Sequence, residues 1–150
     1  MVARHNYGLD PTVDFQDAMV QLIRALGLHR ADATPCGQPV SVGEAHAMLE
    51  IGNVPGISQN GLARRLRVDK STVSRIVAML ERRGWVQRSR DETDSRLYRL
   101  SLTASGVRAN KNISKSRREK FESILSAIPQ PRRADVLAAL STLTEAIRES

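Results

Sequence analysis

Along the first part of the chain Phe15, Met19, Leu22, Ile23 and Leu26 recur at helical spacing, which predicts an amphipathic helix over residues 13–29. The segment 33–39 carries Pro35, Gly37 and Pro39 and reads as a loop. Ser41 is placed to cap a second helix, whose apolar side is marked by Ala45, Met48, Leu49 and Ile51 and which ends at Gly52-Asn53 and Pro55-Gly56. Ser58 then caps a short helix with Leu62, Ala63 and Leu66 on one face. Arg67-Val68-Asp69 forms a tight connection, and Asp69 caps a longer helix that buries Val73, Ile76, Val77 and Leu80 and stops at Gly84. From Trp85 to Arg90 and from Arg96 to Leu102 the period changes to two, which predicts a hairpin with the charged tip Asp91-Glu92-Thr93-Asp94-Ser95. Thr103 caps a third long helix running through Val107 to Phe121, Ile124, Leu125 and Ile128. Pro129 and Pro131 break it, and Val136, Leu137, Leu140, Leu143 and Ile147 mark a terminal helix.

Two helices joined by a three-residue turn, followed by a hairpin, make a winged helix-turn-helix plan. The expected fold is therefore mainly α with a small β-hairpin wing. Residues 41–104 form the winged helix-turn-helix. The N- and C-terminal helices, 13–40 and 105–150, carry apolar stripes that have too few partners within one small wing domain.

Composition narrows the class. The 150 residues include only five of Phe, Tyr and Trp, so the core is aliphatic. The single cysteine, Cys36, cannot form an intrachain disulfide, and no zinc-type Cys/His spacing exists; a reducing, cytoplasmic setting follows as the expectation. No apolar run is long enough to cross a membrane, and Met1–Asp10 lacks the apolar core of a signal peptide. Neither a Gly-rich phosphate loop nor a nucleophile motif accompanies the three histidines, so an enzyme, a metal site or a bound cofactor is not expected.

The net charge of +7 is unevenly spread. The N-terminal third is acidic, residues 57–120 are strongly basic, and the last thirty residues are again mildly acidic. A basic middle held between acidic ends points to a nucleic-acid reader. At the start of the second short-spaced helix Lys70, Ser71, Thr72, Ser74 and Arg75 share the side opposite the apolar face, where they suit phosphates and base edges. In the wing, Arg88 and Arg90 share a strand face, and Asp94 stands two residues from Arg96, where a carboxylate can hold a guanidinium for entry into a narrow minor groove. Ser58, Gln59 and Asn60 begin a helix and could offer N–H groups to a phosphate or simply cap it. A non-specific or architectural nucleic-acid binder, RNA included, is the alternative. It is disfavoured because Trp85 and Tyr98 read as hairpin packing residues rather than exposed stacking platforms.

Leu62-Ala63-Arg64-Arg65-Leu66, Val68-Asp69-Lys70-Ser71-Thr72-Val73-Ser74-Arg75, Leu80-Glu81-Arg82-Arg83-Gly84-Trp85-Val86, Asp94-Ser95-Arg96 and Leu100-Ser101-Leu102-Thr103-Ala104-Ser105-Gly106 together resemble the MarR family of winged helix-turn-helix transcription regulators. The resemblance implies a homodimer that reads a pseudo-palindromic double-stranded DNA operator. Lys70, Ser71, Thr72, Ser74 and Arg75 would lie in the major groove, with Arg96 oriented by Asp94 in the minor groove. It also implies a repressor released by a small aromatic or phenolic effector, for which His46 is the polar pocket candidate. Cys36 departs from the cysteine position of the family's peroxide sensors, and the Asn110–Asn112 region lacks the histidines of its zinc sensors.

Overall fold

A computed structural model describes residues 10–150, so Arg4, His5 and most of the segment searched for a signal peptide lie outside the described residues. The first helix, α1, is Pro11–Leu26. It starts two residues earlier than the apolar spacing predicts, because Asp10 accepts the Thr12 N–H at 2.9 Å and Pro11 takes the first helical position. α2 is Val42–Asn53, closed at its start by a reciprocal capping box in which the Glu44 N–H donates to the Ser41 hydroxyl and the Ser41 N–H donates to the Glu44 carboxylate. Glu44 is itself buried, whereas Leu49, expected on the apolar side, is only half-buried.

Between them and the wing the helix-turn-helix is α3, Gln59–Leu66, and α4, Lys70–Arg82. Asp69 caps α4 through the Thr72 N–H at 2.7 Å. The α4 C-terminus is a Schellman turn: Gly84, at φ 71°, donates to the Glu81 carbonyl and Trp85 donates to the Leu80 carbonyl. α3 ends in the same geometry, but there the left-handed residue is Arg67, at φ 56°, in a conformation that glycine adopts at lower cost.

The wing is a three-stranded antiparallel sheet. β1, Ile57–Ser58, occupies positions that helical spacing alone reads as the approach to α3, and it pairs with β3, Tyr98–Leu102, through Ile57–Leu100 and Ser58–Arg99. β2, Val86–Arg90, pairs with the other edge of β3, giving the order β1-β3-β2. Both hairpin strands are shorter than the alternation suggests, since the tip folds on its own hydrogen bonds from Asp91 to Leu97. A two-residue strand has no readable period; only the return of β3 beside it makes it a strand.

α5, Ala104–Ala127, is capped by Thr103, which accepts from the Gly106 N–H and donates to the Gly84 carbonyl at 2.6 Å. A Cβ on Gly106 would sit 1.9 Å from the Trp85 carbonyl oxygen, so this close crossing of α5 over the end of α4 demands glycine. A 3₁₀ turn at Gln130–Arg132 leads into α6, Arg133–Glu149.

The core joins Met48 and Ile51 of α2 to Leu62 of α3, Val73, Val77 and Leu80 of α4, and Val86 and Leu100 of the sheet. A smaller cluster of Val40, Ala45 and Ile113 fastens α5 to α2, with Trp85 packed against both clusters. Each fully buried aliphatic side chain contributes roughly 1.5–3 kcal/mol. α1 and α6 bury no residue at all.

Candidate nucleic-acid interface

Because Val73, Val77 and Leu80 turn inward, the first two turns of α4 present Lys70, Ser71, Ser74 and Arg75 to solvent, with Thr72 half-buried. These hydrogen-bonding groups are partly pre-set. The Ser71 hydroxyl donates to Asp69 Oδ1 at 2.7 Å, and Arg75 Nη2 lies 3.5 Å from Thr72 Oγ1. Hydrogen bonds from the Thr72 N–H, then the Ser71 and Thr72 hydroxyls, hold the Asp69 carboxyl down from 3.8 to about 2.

At the wing Arg96 stands 89% exposed, yet it is not loose: its N–H and Nε both donate to Asp94 Oδ1, at 3.0 and 3.3 Å. The other two arginines expected to read DNA from the wing, Arg88 and Arg90, are engaged elsewhere. Arg88 Nε donates to Glu81 of α4 at 2.9 Å, bracing β2 against that helix, and the Arg90 guanidinium lies 5.9 Å from the Tyr98 ring centroid. Tyr98, expected to pack within the hairpin, is instead 43% exposed, because it ends β3 opposite Arg90, beyond the reach of the core.

The hydroxyl of Ser58 accepts the Gly61 N–H at 3.0 Å and so caps α3. The fold nevertheless brings Ser58, Gln59 and Asn60 beside the wing: together with Arg88, Arg96, Leu97 and Tyr98 they line a groove of about 170 Å³. A second open concavity, of about 460 Å³, gathers Arg64, Arg67 and Lys70 at the turn between α3 and α4, where Arg64 and Arg67 had not been expected. Neither has a spacing signal, since they meet only when Arg67 takes its left-handed turn.

Several ties that hold these parts were invisible in the sequence pattern. Glu44 joins Arg83 at the end of α4 at 2.9 Å. Burial alone would raise its pKa, but hydrogen bonds from Ser41 and then Arg83 outweigh that and hold it below the usual range. Arg83 also stacks over Trp85, 5.1 Å from the ring centroid. Asp91, read only as part of a charged tip, accepts from the Thr93 N–H and hydroxyl, the Asp94 N–H and Arg99 Nε, which holds its carboxyl well below the usual carboxylate range.

Apart from this surface, His46 lines an apolar cavity of about 200 Å³ between the end of α1, the 33–39 loop, α2 and α5, with Leu26, Leu28, Thr34, Pro35, Cys36, Val42, Ala45, Ile113, Arg117 and Phe121. Cys36 Sγ is 2.9 Å from Thr34 Oγ1. Among the described residues no group of three or more His, Cys, Asp or Glu could hold a metal ion, and no helix is long and apolar enough to cross a membrane.

Residues 38–97, the span from the second helix's approach through the wing tip, match the MarR family. Over this span the chain is similar to the MarR family. The relatives it matches are described as transcriptional regulators. Among relatives, this chain is 31% identical over 99 residues to a putative transcriptional regulatory protein for the hcr operon of Thauera aromatica, an alignment covering 65% of this chain and 60% of that protein. Its fold is shared with the Streptomyces coelicolor PcaV transcriptional regulator in complex with its natural ligand, with a TM-score of 0.70 at 20% identity over 93% of this chain and 98% of the other. It is shared also with Streptococcus pneumoniae FabT in complex with DNA, with a TM-score of 0.67 at 22% identity over 92% of this chain and 94% of the other.

Proposed function

We propose that this MarR-type regulator is a sequence-specific double-stranded DNA-binding repressor that acts in the cytoplasm as a homodimer and is released by a small-molecule effector. The observation that carries this reading is the pairing of two reading heads on one core. The Lys70, Ser71, Thr72, Ser74 and Arg75 face of α4 suits a major groove, and Arg96, oriented by Asp94, suits the adjoining minor groove. Ser58, Gln59 and Asn60 supply phosphate contacts beside the wing, Arg88 braces it, and Arg90 rests over Tyr98 along its edge. FabT, which shares the fold, has been solved on DNA.

Homodimerisation is supported by unburied apolar faces. Phe15, Leu22 and Ile23 of α1, Phe121 and Leu125 of α5, and Leu137, Leu140 and Ile147 of α6 are each at least 38% exposed. Residues 13–40 and 105–150 then form the dimerisation region and 41–104 the DNA-binding region. The cavity beside His46 has the size and apolar lining for a small aromatic or phenolic effector, and PcaV has been solved with its natural ligand. Cavity and reading head share α2, whose Glu44 grips the end of α4, so a ligand favouring one placement of α2 would shift the spacing of the two half-site readers.

Selection of random duplex DNA on the purified protein, with the mass of free protein and complex measured in solution, tests the reading. The expected result is a pseudo-palindromic site bound by two subunits, with half-sites about one helical turn apart. Salt-sensitive binding to any nucleic acid with no enriched sequence would instead establish the non-specific or RNA-binding role.

A further inference from the structure

Arg99 occupies the middle strand of the wing sheet, flanked in register by Ser58 of β1 and Ser89 of β2. Directly opposed residues of an antiparallel sheet share a face, so the arginine lies between two short serines and its long stem has room to cross the sheet. It uses that room in two directions. Its Nη1 reaches the Gly56 carbonyl at 3.4 Å, at the turn that enters β1 and the helix-turn-helix, while its Nε donates to Asp91 Oδ2 at the root of the wing tip. The Gly56 N–H is itself bonded to the Leu100 carbonyl at 2.9 Å, so this turn is fixed to the sheet from both sides.

From Asp91 the chain of contacts continues outward. The other carboxylate oxygen accepts the Thr93 N–H at 2.9 Å, the Thr93 hydroxyl at 2.6 Å and the Asp94 N–H at 3.0 Å. The Asp91 side chain is only 8% exposed although it sits at the edge of a solvent-facing tip. Locating the Asp94 N–H locates the Asp94 carboxylate, and that carboxylate holds both donors of Arg96.

We propose that Arg99 and Asp91 are positioning residues for the wing, forming a hydrogen-bonded clip that runs from the Gly56 turn to Asp94 and presents Arg96 to DNA in one orientation. The proposal rests on the reading of Arg96 as a DNA contact. Its physical basis is that the seven-residue tip, 91–97, would otherwise have to be ordered on binding, and a clip formed in the free protein removes that entropic cost beforehand. Neither residue needs to touch the duplex. Arg99 has one donor set on Asp91 and another on a carbonyl, and Asp91 has no oxygen left unpaired.

Two measurements on the full-length chain test it. In the free protein, amide exchange of Thr93 to Leu97 is expected to speed up about tenfold in Arg99→Ala and in Asp91→Asn while thermal unfolding stays close to the parent; unchanged exchange in both variants overturns the clip without touching the DNA-binding reading. On the selected operator, Arg99→Ala is expected to bind about 3- to 10-fold more weakly and to lose preference in the A·T-rich flank, yet to cost less than about 1.5-fold when added to Arg96→Ala. Arg99→Lys, which keeps the charge and loses the fork, is expected to fall between. Equal losses from Arg99→Ala with and without Arg96 would show that Arg99 acts on its own account and overturn the proposal. An Arg96→Ala variant that binds as tightly as the parent would overturn the minor-groove reading and the proposal together, and the faster exchange in the clip variants would identify that case.

Discussion

Arg96 shows how much a single residue depends on its neighbours. The spacing of Asp94 and Arg96 was readable, and the two donors that Arg96 places on Asp94 show the carboxylate holding the guanidinium. Arg96→Ala is expected to weaken operator binding by about 1–3 kcal/mol and to flatten preference in the flanking minor groove, as checked by titration of operators with A·T-rich and G·C-rich flanks. Arg88 and Arg90 carry the opposite lesson. Both were legible as wing cations, but the partner of one is Glu81 on another element and the partner of the other is an exposed tyrosine, and no local pattern announces either. Gly106 looks replaceable in sequence, inside a helix that would prefer alanine. The carbonyl of Trp85 lies where its Cβ would go, so Gly106→Ala should destabilise the fold by roughly 1–3 kcal/mol or more in urea unfolding, whereas Ser105→Ala on the exposed side should be nearly neutral.

Helix caps were the most legible elements, since they depend on residues within three positions of one another. Ser41, Ser58, Asp69 and Thr103 all cap as read, and Asp10 with Pro11 adds a start that the apolar spacing alone overlooks. The α4 cap carries a pH dependence. The Asp69 carboxyl is lowered in the folded chain, so its contribution is present above its ordinary value of 3.8 and is lost as pH falls toward about 2. Asp69→Asn retains a capping oxygen but cannot titrate. Its stability, followed by thermal melts from pH 5 to pH 2, should therefore fall less steeply than the parent's, while the neutral-pH melts remain close. The wing was only partly legible. Alternation predicted β2 and β3, but β1 is two residues long and ends at the Ser58 that caps α3, so only its pairing with Leu100 and Arg99 defines it.

At the scale of the molecule, the two terminal helices carry the apolar surface on which the proposed homodimer rests. α1 and α6 bury no residue, and the proposed homodimer would take their exposed apolar side chains out of water. Leu140→Glu, at a position 47% exposed and far from the reading head in sequence, is expected to yield a folded monomer by sedimentation velocity and to lose operator binding, because one half-site alone offers half the contacts; a variant that stays dimeric would remove α6 from the interface. The cavity beside His46 belongs to this scale too. Its lining comes from α1, the 33–39 loop, α2 and α5, and of those residues only His46 had been singled out as a candidate. By itself the sequence determined the helix order, the caps and the two hairpin strands, because each rests on period or local hydrogen bonding. The tertiary structure alone decided the third strand, the buried Glu44–Arg83 tie, the Arg99–Asp91 clip and the lining of the cavity. These join residues separated in sequence, or on different elements, and a side chain's partner across such a gap is set by the packing of helices and strands rather than by anything its own neighbours encode.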